Sequence, residues 1–441
     1  MNDTGHRAGK PAHPSGFLRL AAFVLAACLS LFLLACSTQA SGAAVSAVVP
    51  SFPPLPESEG LRIAIASDLH FNPELRPGSA EPYEAAYNQE LVDALLRDCR
   101  QQGAELLLLT GDLCNAGKAE HHRALIEKLS RAREDGLAIY VLPGNHDLAP
   151  VTQTGFAELY ADFGYQQAHS RDRASLSYCV LRGDLMILMM DTAGYSIGSI
   201  DLPGSHRPDF ETAFLAESTL QWVEGLLQEA AERNYHVLAA GHYNLLPEVS
   251  RNPERTGYYL KNGDRFASLL RQYKVPLYLS GHQHIRSVYQ EEGLTELLTE
   301  YLLAYPTAYG VLDLSDKQIV YTPRRIDVDA WAAESGSADP ILLHFAQWQQ
   351  DELYRSSVRT VDDMCVKNPL SSQEKALAAE FFYRTMDSFW QGSLDENRED
   401  LLAAPGYPYF LRSSEGYAYG WWLRELIETT SPLLAGFSLS W

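Results

Sequence analysis

Apolar runs that end in a turn carrying polar side chains recur five times along the chain, and they predict strands. The clearest run, Leu106 to Leu109, has no polar alternation and therefore fits a strand covered on both faces. Gly111 and Gly117 allow a sharp turn after it, which places Asp112 at the strand end. We expect Asp112 to be a bridging ligand between two metals.

Four further junctions place Asp, Asn or His within a residue or two of an apolar run. They are Ile63 to His70, Ala138 to Asp147, His236 to His242 and Pro276 to His284. One such residue alone is usually a turn former, because Asp and Asn favour turns. Five junctions can converge at the carboxyl edge of a sheet. Their carboxylate, amide and imidazole donors suit Mn, Fe, Zn or similar ions without a thiolate.

Helical periods alternate with these strands. Apolar residues at spacings of three and four predict helices over about 84–102, 118–135, 216–233 and 264–273. Residues 175–181 and 185–190 flank Arg-Gly-Asp and predict a hairpin, and residues 287–326 are β-rich. This order indicates an α/β fold, with a sheet sandwiched by helices and an antiparallel section.

The composition changes after Ile326, where aromatic residues lie in segments with helical spacing. Ser371 and Glu374 form a capping-box pattern at the start of a helix that runs towards Trp390. We expect a small helical domain over residues 327–441. Its aromatic residues are expected to form its core and its packing surface rather than a ligand pocket, because aromatic side chains bury large areas.

The first 36 residues are typical of a targeting segment. Three cationic residues precede the apolar run Leu20 to Ala35, which is short for a membrane-spanning helix. Residues 33–36 resemble a bacterial lipoprotein cleavage box, which makes Cys36 the expected lipidated residue; Cys28 is the alternative. An uncleaved anchor or a plain signal peptide also stays open, and each predicts export. Residues 37–60 are rich in Ser, Ala and Pro and predict a flexible tether.

Size and charge narrow the class of protein. A chain of 441 residues exceeds what one hydrophobic core usually serves, so a large domain and a smaller one are expected. The formal net charge of −21 argues against a nucleic-acid surface, which needs clustered Lys and Arg. No nucleic-acid duplex is therefore expected as a partner, and the oligomeric state is left undetermined.

The motif order D-x-H, G-D, G-N-H-D, G-H and G-H-x-H resembles the calcineurin-like metallophosphoesterase superfamily over about residues 61–326. Within it, the chain is most similar to bacterial class III cyclic nucleotide phosphodiesterases, some of which carry a helical C-terminal domain. The resemblance implies a two-sheet α/β/β/α sandwich with a small all-α C-terminal domain. Asn115 stands where some phosphatase members carry a further Asp, which weakens transfer from protein phosphatases.

The resemblance also implies a ligand set for two divalent or trivalent ions, with Mn, Fe or Zn as candidates. The first ion would take Asp68, His70, Asp112 and His284, and the second Asp112, Asn145, His242 and His282. Water held between two such ions is expected to become hydroxide near neutral pH and to attack the phosphorus. His146 would protonate the departing oxygen, and Asn145 and His146 would contact the substrate. Asp147 would orient His146 or serve as a helix-start carboxylate.

Two long loops are expected to select the substrate. Residues 194–210 and 243–263 follow Asp191 and His242 directly, and loops in this position commonly carry specificity. Arg207, Arg251 and Arg255 are the candidate substrate contacts, although a solvent-exposed or structural role is the simpler interpretation of any single one.

Three functions fit these observations. The first is a phosphodiesterase at the cell envelope, lipid-anchored on the extracytoplasmic side of a bacterial membrane, with a small phosphodiester or nucleotide as substrate. The second is a phosphomonoesterase or nucleotidase. The third is a catalytically silent lipoprotein that binds a partner. The five motif blocks contain no Arg or Lys, which favours singly charged diesters.

Overall fold

The protein is described by a computed structural model over residues 51–55, 60–76, 83–148, 150–193, 213–246, 258–428 and 435–441. These residues hold two β-sheets, the helices that cover them and a helical region after the second sheet. Cys36 and the rest of the predicted targeting segment lie outside the described residues. Among the described residues, no helix combines the length and the apolar character that a membrane span requires.

The first sheet has six strands in the order β13-β12-β11-β1-β2-β3. Strands β1, β2 and β3 are parallel, and β11 to β13 are antiparallel additions. The strands are β1 (Leu61–Ala66), β2 (Leu106–Thr110), β3 (Ala138–Leu142), β11 (Ala308–Leu314), β12 (Gln318–Arg325) and β13 (Phe437–Ser440). Every residue of β2 is buried, as its unbroken apolar sequence predicts.

The second sheet has seven strands in the order β4-β5-β6-β7-β8-β10-β9. Its strands are β4 (Ser170–Arg171), β5 (Tyr178–Arg182), β6 (Leu185–Met189), β7 (His236–Ala240), β8 (Leu277–Ser280), β9 (Ser287–Glu291) and β10 (Leu294–Leu298). The predicted hairpin is the antiparallel pair β5 and β6. From β6 to β10 the neighbouring strands run parallel, so their carboxyl ends lie along one edge.

The two sheets pack face to face. The evidence is that successive residues of a strand belong alternately to two different hydrophobic cores. In β6, Ile187 and Met189 belong to the central hydrophobic core, which also holds the residues of the first sheet. Their neighbours Met186 and Leu188 belong to a second core beneath two helices. Because successive strand residues point to opposite faces, the second sheet lies between the first sheet and a helical layer.

Five α-helices accompany the sheets within the described part of residues 60–326. They are α1 (Asn88–Gln101), α2 (Ala119–Glu134), α3 (Gln153–Leu159), α4 (Glu217–Arg233) and α5 (Gly263–Gln272). Helices α1 and α2 contribute to the central core, and α4 and α5 contribute to the second core. The architecture is the predicted α/β/β/α sandwich.

Residues after Ile326 form the predicted all-α region. Its helices are α6 (Val328–Ser335), α7 (Phe345–Met364), α8 (Ser372–Gln391), α9 (Leu394–Leu402), α10 (Tyr407–Ser413) and α11 (Ala418–Glu428). Ser371 and Glu374 form the predicted capping box at the start of α8. Phe381, Phe382 and Phe389 are buried in the region's own core, as expected of structural aromatic residues.

The sequence predicts that the helical region extends to residue 441, but in the structure it ends before the last residues. Phe437–Ser440 is strand β13, which pairs with Gln318 to Tyr321 of β12 at the edge of the first sheet. Trp441 stacks on His236 of β7, with ring centroids 4.3 Å apart. Phe437 to Ser440 does alternate between apolar and polar residues, but four residues are the shortest run that such a pattern can indicate, and the segment follows a long stretch with helical spacing.

The predicted tether also differs from the structure at its described end. Phe52 is buried in the second core, and its ring meets Tyr235 edge-on at 5.2 Å. The main-chain N–H of Phe52 donates to Glu229, and Tyr235 donates to the carbonyl of Pro53. Residues 51–53 are therefore held on the sandwich, because the large apolar side chain of Phe52 is buried in the second core.

Candidate metal centre

The five polar turns meet at one edge of the sandwich. Main-chain hydrogen bonds join them directly: Asp68 donates to the carbonyl of Gly111 at 3.0 Å, and His70 to that of Asp112 at 2.9 Å. Gly281 donates to the carbonyl of His242 at 3.0 Å. Between the sheets, the main-chain N–H of His282 donates to Oδ2 of Asp68 at 3.0 Å. The strand ends of both sheets are thus joined, as expected for turns at the carboxyl edges of parallel strands.

A first group of donors lies on the side of the first sheet. Asp68, His70, Asp112 and His284 each offer a ligand atom, and these atoms lie within 4.8 Å of one another. Nε2 of His70 lies 3.1 Å from Nε2 of His284 and 3.5 Å from Oδ2 of Asp112. Oδ1 of Asp68 lies 3.4 Å from Nε2 of His284. All are buried except His284, whose side chain is 42% exposed.

A second group shares Asp112 with the first. Asp112, His242 and His282 lie within 4.8 Å of one another through their ligand atoms. Nε2 of His242 lies 3.3 Å from Oδ2 of Asp112 and 3.2 Å from Oδ1 of Asn145. Nδ1 of His242 donates to the carbonyl of Thr110, so Nε2 is the atom that can bind a cation once its own proton is displaced. Asp112 therefore lies between two donor groups.

The backbone is strained at most of the candidate ligands. Positive φ angles occur at Asp68 (52°), His70 (38°), Asp112 (49°), His282 (70°) and His284 (60°). Residues other than glycine rarely adopt this conformation, and strain of this kind persists where the surrounding structure fixes it, commonly at functional sites. The turns are therefore shaped to aim these side chains inward at some cost in conformational energy.

Two glycines allow the turns to approach one another. A Cβ at Gly144 would overlap the carboxylate and the main-chain nitrogen of Asp112. A Cβ at Gly281 would overlap Asp68 and Ser67. The glycine that precedes Asn145 and the one that precedes His282 are thus required by close packing between turns, which a sequence motif alone does not reveal.

Opposite charges dominate the electrostatics of the centre. Burial by itself disfavours an ionised carboxyl, yet contacts with His284 and His70 hold the pKa of Asp68 well below its usual range. Burial likewise disfavours a charged imidazole, but Asp112 and Asp68 raise the pKa of His242 to about 9. The buried carboxylates are thus stabilised by nearby positive charge. When no metal cation is bound, protonated imidazole rings supply that charge. A divalent cation would displace those protons.

The residues present fit a metal ion. Oδ1 of Asp68 is buried and has no hydrogen-bond partner, although its other oxygen accepts the main-chain N–H of His282. An orphaned carboxylate oxygen at this depth is costly unless a cation or a proton meets it. It lies among imidazole nitrogens that also face one another without a polar group between them. Oxygen and imidazole donors in this combination suit Mn, Fe or Zn.

His146 lies beside the first donor group without belonging to it. Its ring meets that of His70 edge-on, with centroids 4.7 Å apart. Nδ1 donates to the carbonyl of Asn115 at 2.7 Å, so Nε2 is the atom that can carry a transferable proton. Its main-chain N–H donates to Oδ1 of Asp112 at 2.8 Å. The main-chain carbonyl of Asn115 therefore holds the His146 ring in position.

Asp147 has neither of the two roles expected from the sequence. Its carboxylate is fully buried and accepts three main-chain N–H groups, from Leu113 at 3.1 Å, Cys114 at 2.9 Å and Gly144 at 2.8 Å. It thereby clamps the turn that carries Asp112 to the turn that carries Asn145. Gly144 belongs to the same turn as Asp147, but Leu113 and Cys114 are main-chain groups of a distant segment, so no local pattern could have identified them.

A third cluster, Cys114, His122 and Asp147, also brings three potential ligand atoms within 4.8 Å. Here the structure satisfies the donors without an ion. Both ring nitrogens of His122 are engaged, one with the hydroxyl of Tyr160 and one with the carbonyl of Asp147. Burial lowers the pKa of His122, which fits a neutral ring in this network.

Sequence reasoning missed two further residues at the centre. Tyr301 stacks on His284 with ring centroids 4.6 Å apart and an interplanar angle of 18°, and it meets His70 edge-on. Glu296, fully buried, accepts the main-chain N–H groups of Leu245 and Leu246 and so holds the turn after His242. Burial raises the pKa of Glu296 to about 7. Both residues lie in or after β10, away from every motif.

The expected substrate loops are described only in part. Arg207, Arg251 and Arg255 lie outside the described residues, so their prediction is not tested. At the described end of the second loop, the Tyr258 ring lies 5.3 Å from the His282 ring.

The sandwich and the donors at its edge define an α/β protein with a candidate dinuclear metal centre. A family model described as calcineurin-like phosphoesterase matches residues 61–286, just over half of the chain. The chain therefore belongs to the calcineurin-like phosphoesterase family. A second model, described as the C-terminal domain of cyclic nucleotide phosphodiesterase, matches residues 327–429.

Solved structures of similar fold include three phosphoesterases. A dimetal phosphatase from Danio rerio is 11% identical with a TM-score of 0.47, over 60% of this chain and 96% of that chain. A purple acid phosphatase from yellow lupin is 15% identical with a TM-score of 0.41, over 62% and 53%. A 5′-nucleotidase from Candida albicans is 13% identical with a TM-score of 0.35, over 69% and 59%. Among curated protein sequences, none matches the chain.

Proposed function

We propose that the protein is a metal-dependent phosphodiesterase that hydrolyses small phosphodiesters, with cyclic nucleotides as the substrate class. The observation that carries the proposal is Asp112, whose Oδ2 faces an imidazole of each donor group at 3.5 Å and 3.3 Å. A carboxylate in that position can bridge two cations, and paired cations are the usual catalysts of phosphoester hydrolysis.

The chain's own residues divide into two ligand sets. Asp68, His70, Asp112 and His284 would hold one ion, and Asp112, Asn145, His242 and His282 the other. When bound, two ions of Mn, Fe or Zn would neutralise charge on the phosphate oxygens and lower the pKa of water in the site. The amide Nδ2 of Asn145 is buried without a hydrogen-bond partner, so it can donate to a phosphate oxygen.

His146 would protonate the leaving group. The hydrogen bond from Nδ1 to the carbonyl of Asn115 fixes the ring, and Nε2 is then the atom that transfers the proton. A nucleoside oxygen leaves poorly as an alkoxide, so a positioned acid should contribute a rate factor of roughly 10² to 10⁴.

Charge around the centre favours a diester over a monoester. A monoester carries close to two negative charges at neutral pH, and monoesterases often hold the second with Arg or Lys. The two cations nearest to the motifs in sequence are engaged with carboxylates: Lys118 pairs with Glu74 at 3.0 Å, and Arg286 with buried Glu300 at 3.1 Å. The match to the C-terminal domain of cyclic nucleotide phosphodiesterase supports the same substrate class.

We further propose that the protein is exported and held at a membrane surface by a lipid on Cys36. This part rests on the sequence of residues 1–36 alone. Membrane release after Cys36→Ser, measured by fractionation of cells, would test it. Equal membrane retention of the unaltered chain and the variant would contradict the anchor.

The substrate proposal is tested with paired compounds in the presence of Mn²⁺. We expect kcat/KM for bis-p-nitrophenyl phosphate to exceed that for p-nitrophenyl phosphate, and 3′,5′-cyclic AMP to be preferred over 5′-AMP. The Asp112→Asn variant serves as a control for contaminating activity. Preference for the monoester in both pairs would contradict the diester proposal and favour a nucleotidase. Absence of hydrolysis in a metal-loaded protein would favour the partner-binding alternative.

A further inference from the structure

The helical region contacts the sandwich close to the candidate metal centre. The contact is made by the C-terminal end of α8, where the main-chain carbonyl of Trp390 accepts a hydrogen bond from Nη2 of Arg286. The last carbonyl groups of a helix have no partner within the helix, and a cation there is favourable. Arg286 follows candidate ligand His284 by two residues, so the helix end is anchored beside that ligand.

Arg286 is held by a second bond within the sandwich. It is 4% exposed, and its Nη1 donates to Oε1 of Glu300, which is 2% exposed, at 3.1 Å. The guanidinium thus uses one nitrogen for Glu300 and another for Trp390. This requires a planar group with several donors, and the single nitrogen of a lysine cannot occupy both positions.

Glu300 is adjacent in sequence to Tyr301, the residue whose ring covers His284. The next residue, Tyr301, stacks on the His284 imidazole at 4.6 Å and meets His70 edge-on at 5.3 Å. A backbone bridge between Ser67 and Tyr301 fixes this segment against the turn of Asp68. Arg286 is therefore connected to His284 in two ways. It is two residues away along the chain, and it binds Glu300, whose neighbour Tyr301 stacks on the His284 ring.

His284 is the candidate ligand that most needs such support. Its side chain is 42% exposed, whereas the other ligands are buried, and its φ angle is 60°. An exposed side chain on a strained backbone keeps one orientation only if its neighbours impose it. The residues that impose it include the Tyr301 ring and the segment pinned by Arg286.

We infer that Arg286 is a positioning residue that couples the docking of the helical region to metal binding at His284. This inference rests on the proposed function, because it takes His284 to be a ligand. It assigns the helical region a contribution to the centre through Arg286, Glu300 and Tyr301. Outer partners of metal ligands commonly change affinity about 10- to 100-fold.

The test compares two conservative variants of the full-length chain at the same interface. Arg286→Lys keeps the charge opposite Glu300 but loses the forked contact with the helix end. Tyr305→Phe removes a different hydrogen bond to α8, the one that Tyr305 donates to Asp387. Isothermal titration of metal-stripped protein with Mn²⁺ gives the number and affinity of sites, and thermal unfolding without metal reports loosening of the interface.

We expect Arg286→Lys to weaken one of two Mn²⁺ sites by about 10- to 100-fold and to leave the other unchanged. Tyr305→Phe should leave both affinities unchanged. In a His284→Ala background, Arg286→Lys should have no further effect, because residues that act through one ligand are not additive.

Several outcomes overturn the inference alone. These are two unchanged Mn²⁺ affinities in Arg286→Lys, the same loss in Tyr305→Phe, or an undiminished effect of Arg286→Lys in the His284→Ala background. If the unaltered chain binds no Mn²⁺, the proposed function fails together with the inference. The titration of the unaltered chain therefore separates the two failures.

Discussion

Replacing Asp147 by Asn tests the clamp between the turns of Asp112 and Asn145. The carboxylate accepts three buried main-chain N–H groups: Cys114 on Oδ1, and Leu113 and Gly144 on Oδ2. An amide has one acceptor oxygen, and its NH₂ group would face a donor. Each buried donor left unpaired costs about 1–3 kcal/mol.

The magnitude depends on the orientation of the amide. With oxygen at the Oδ2 position only the Cys114 N–H loses its acceptor, so the free energy of unfolding should fall by about 1–3 kcal/mol. With oxygen at Oδ1 two donors are lost, and the fall would be about 2–6 kcal/mol. The side chain should take the first orientation. Asp147→Ala loses all three acceptors, about 3–9 kcal/mol, which approaches the whole stability of many domains.

Urea-induced unfolding of the metal-free protein measures the change without a contribution from bound ions. A matched control is Asp327→Asn, since Asp327 caps helix α6 by accepting one exposed hydrogen bond from the main-chain N–H of Ala330. Asn caps helices about equally well. The control should be nearly neutral. If Asp147→Asn also changes the unfolding free energy by less than about 0.5 kcal/mol, a typical surface effect, then the clamp reasoning is wrong.

Three further predictions concern the centre and its surroundings. Asp112→Asn should lose most bound metal while its circular dichroism spectrum stays native, because the change lies at a strand end; two ions per chain in that variant would exclude a bridge. His146→Ala should keep its metal content and lower turnover by roughly 10² to 10⁴, less for leaving groups that need no proton; equal losses for good and poor leaving groups would argue against an acid. Burial raises the pKa of Asp191 to about 8, whereas an unfolded Asp titrates near about 3.9. The unaltered protein should therefore lose stability between about pH 4 and pH 8 relative to Asp191→Asn, by at most about 1.4 kcal/mol per pH unit. If urea unfolding gives the same free-energy difference between the unaltered protein and Asp191→Asn at pH 5 and at pH 8, the raised pKa of Asp191 is contradicted.

The sandwich and the convergence of five turns could be predicted from the sequence because their causes are local. An unbroken apolar run such as Leu106 to Leu109 and a following glycine determine a buried strand and its turn wherever they occur. Ordered along the chain, five such junctions leave few topologies. The capping box at Ser371 was predictable for the same reason, since its partners are three residues apart.

Features that depend on distant partners could not be predicted. Two of the three groups bound by Asp147, those of Leu113 and Cys114, lie on another turn. Nothing near Tyr301 in sequence indicates that its ring covers His284. Phe52 falls within the predicted tether, although it is buried, because one apolar residue among prolines shows no period. Positive φ angles at five ligands arise from the packing of the turns against one another. Such effects appear only when both partners are placed.

The pairing of β13 with β12 has a consequence for the order of events during synthesis. Strand β12 is made before the helical region, and β13 is made after it, although the two are neighbours in one sheet. Until β13 arrives, the outer edge of β12 from Gln318 to Tyr321 stays uncovered, and a chain that folds only after export meets the same order of arrival. Uncovered strand edges recruit other strands, so this interval is when the chain is most exposed to misassembly. Arg324 and Arg325 at the end of β12, beside Pro323, would discourage such pairing while the edge waits for its partner.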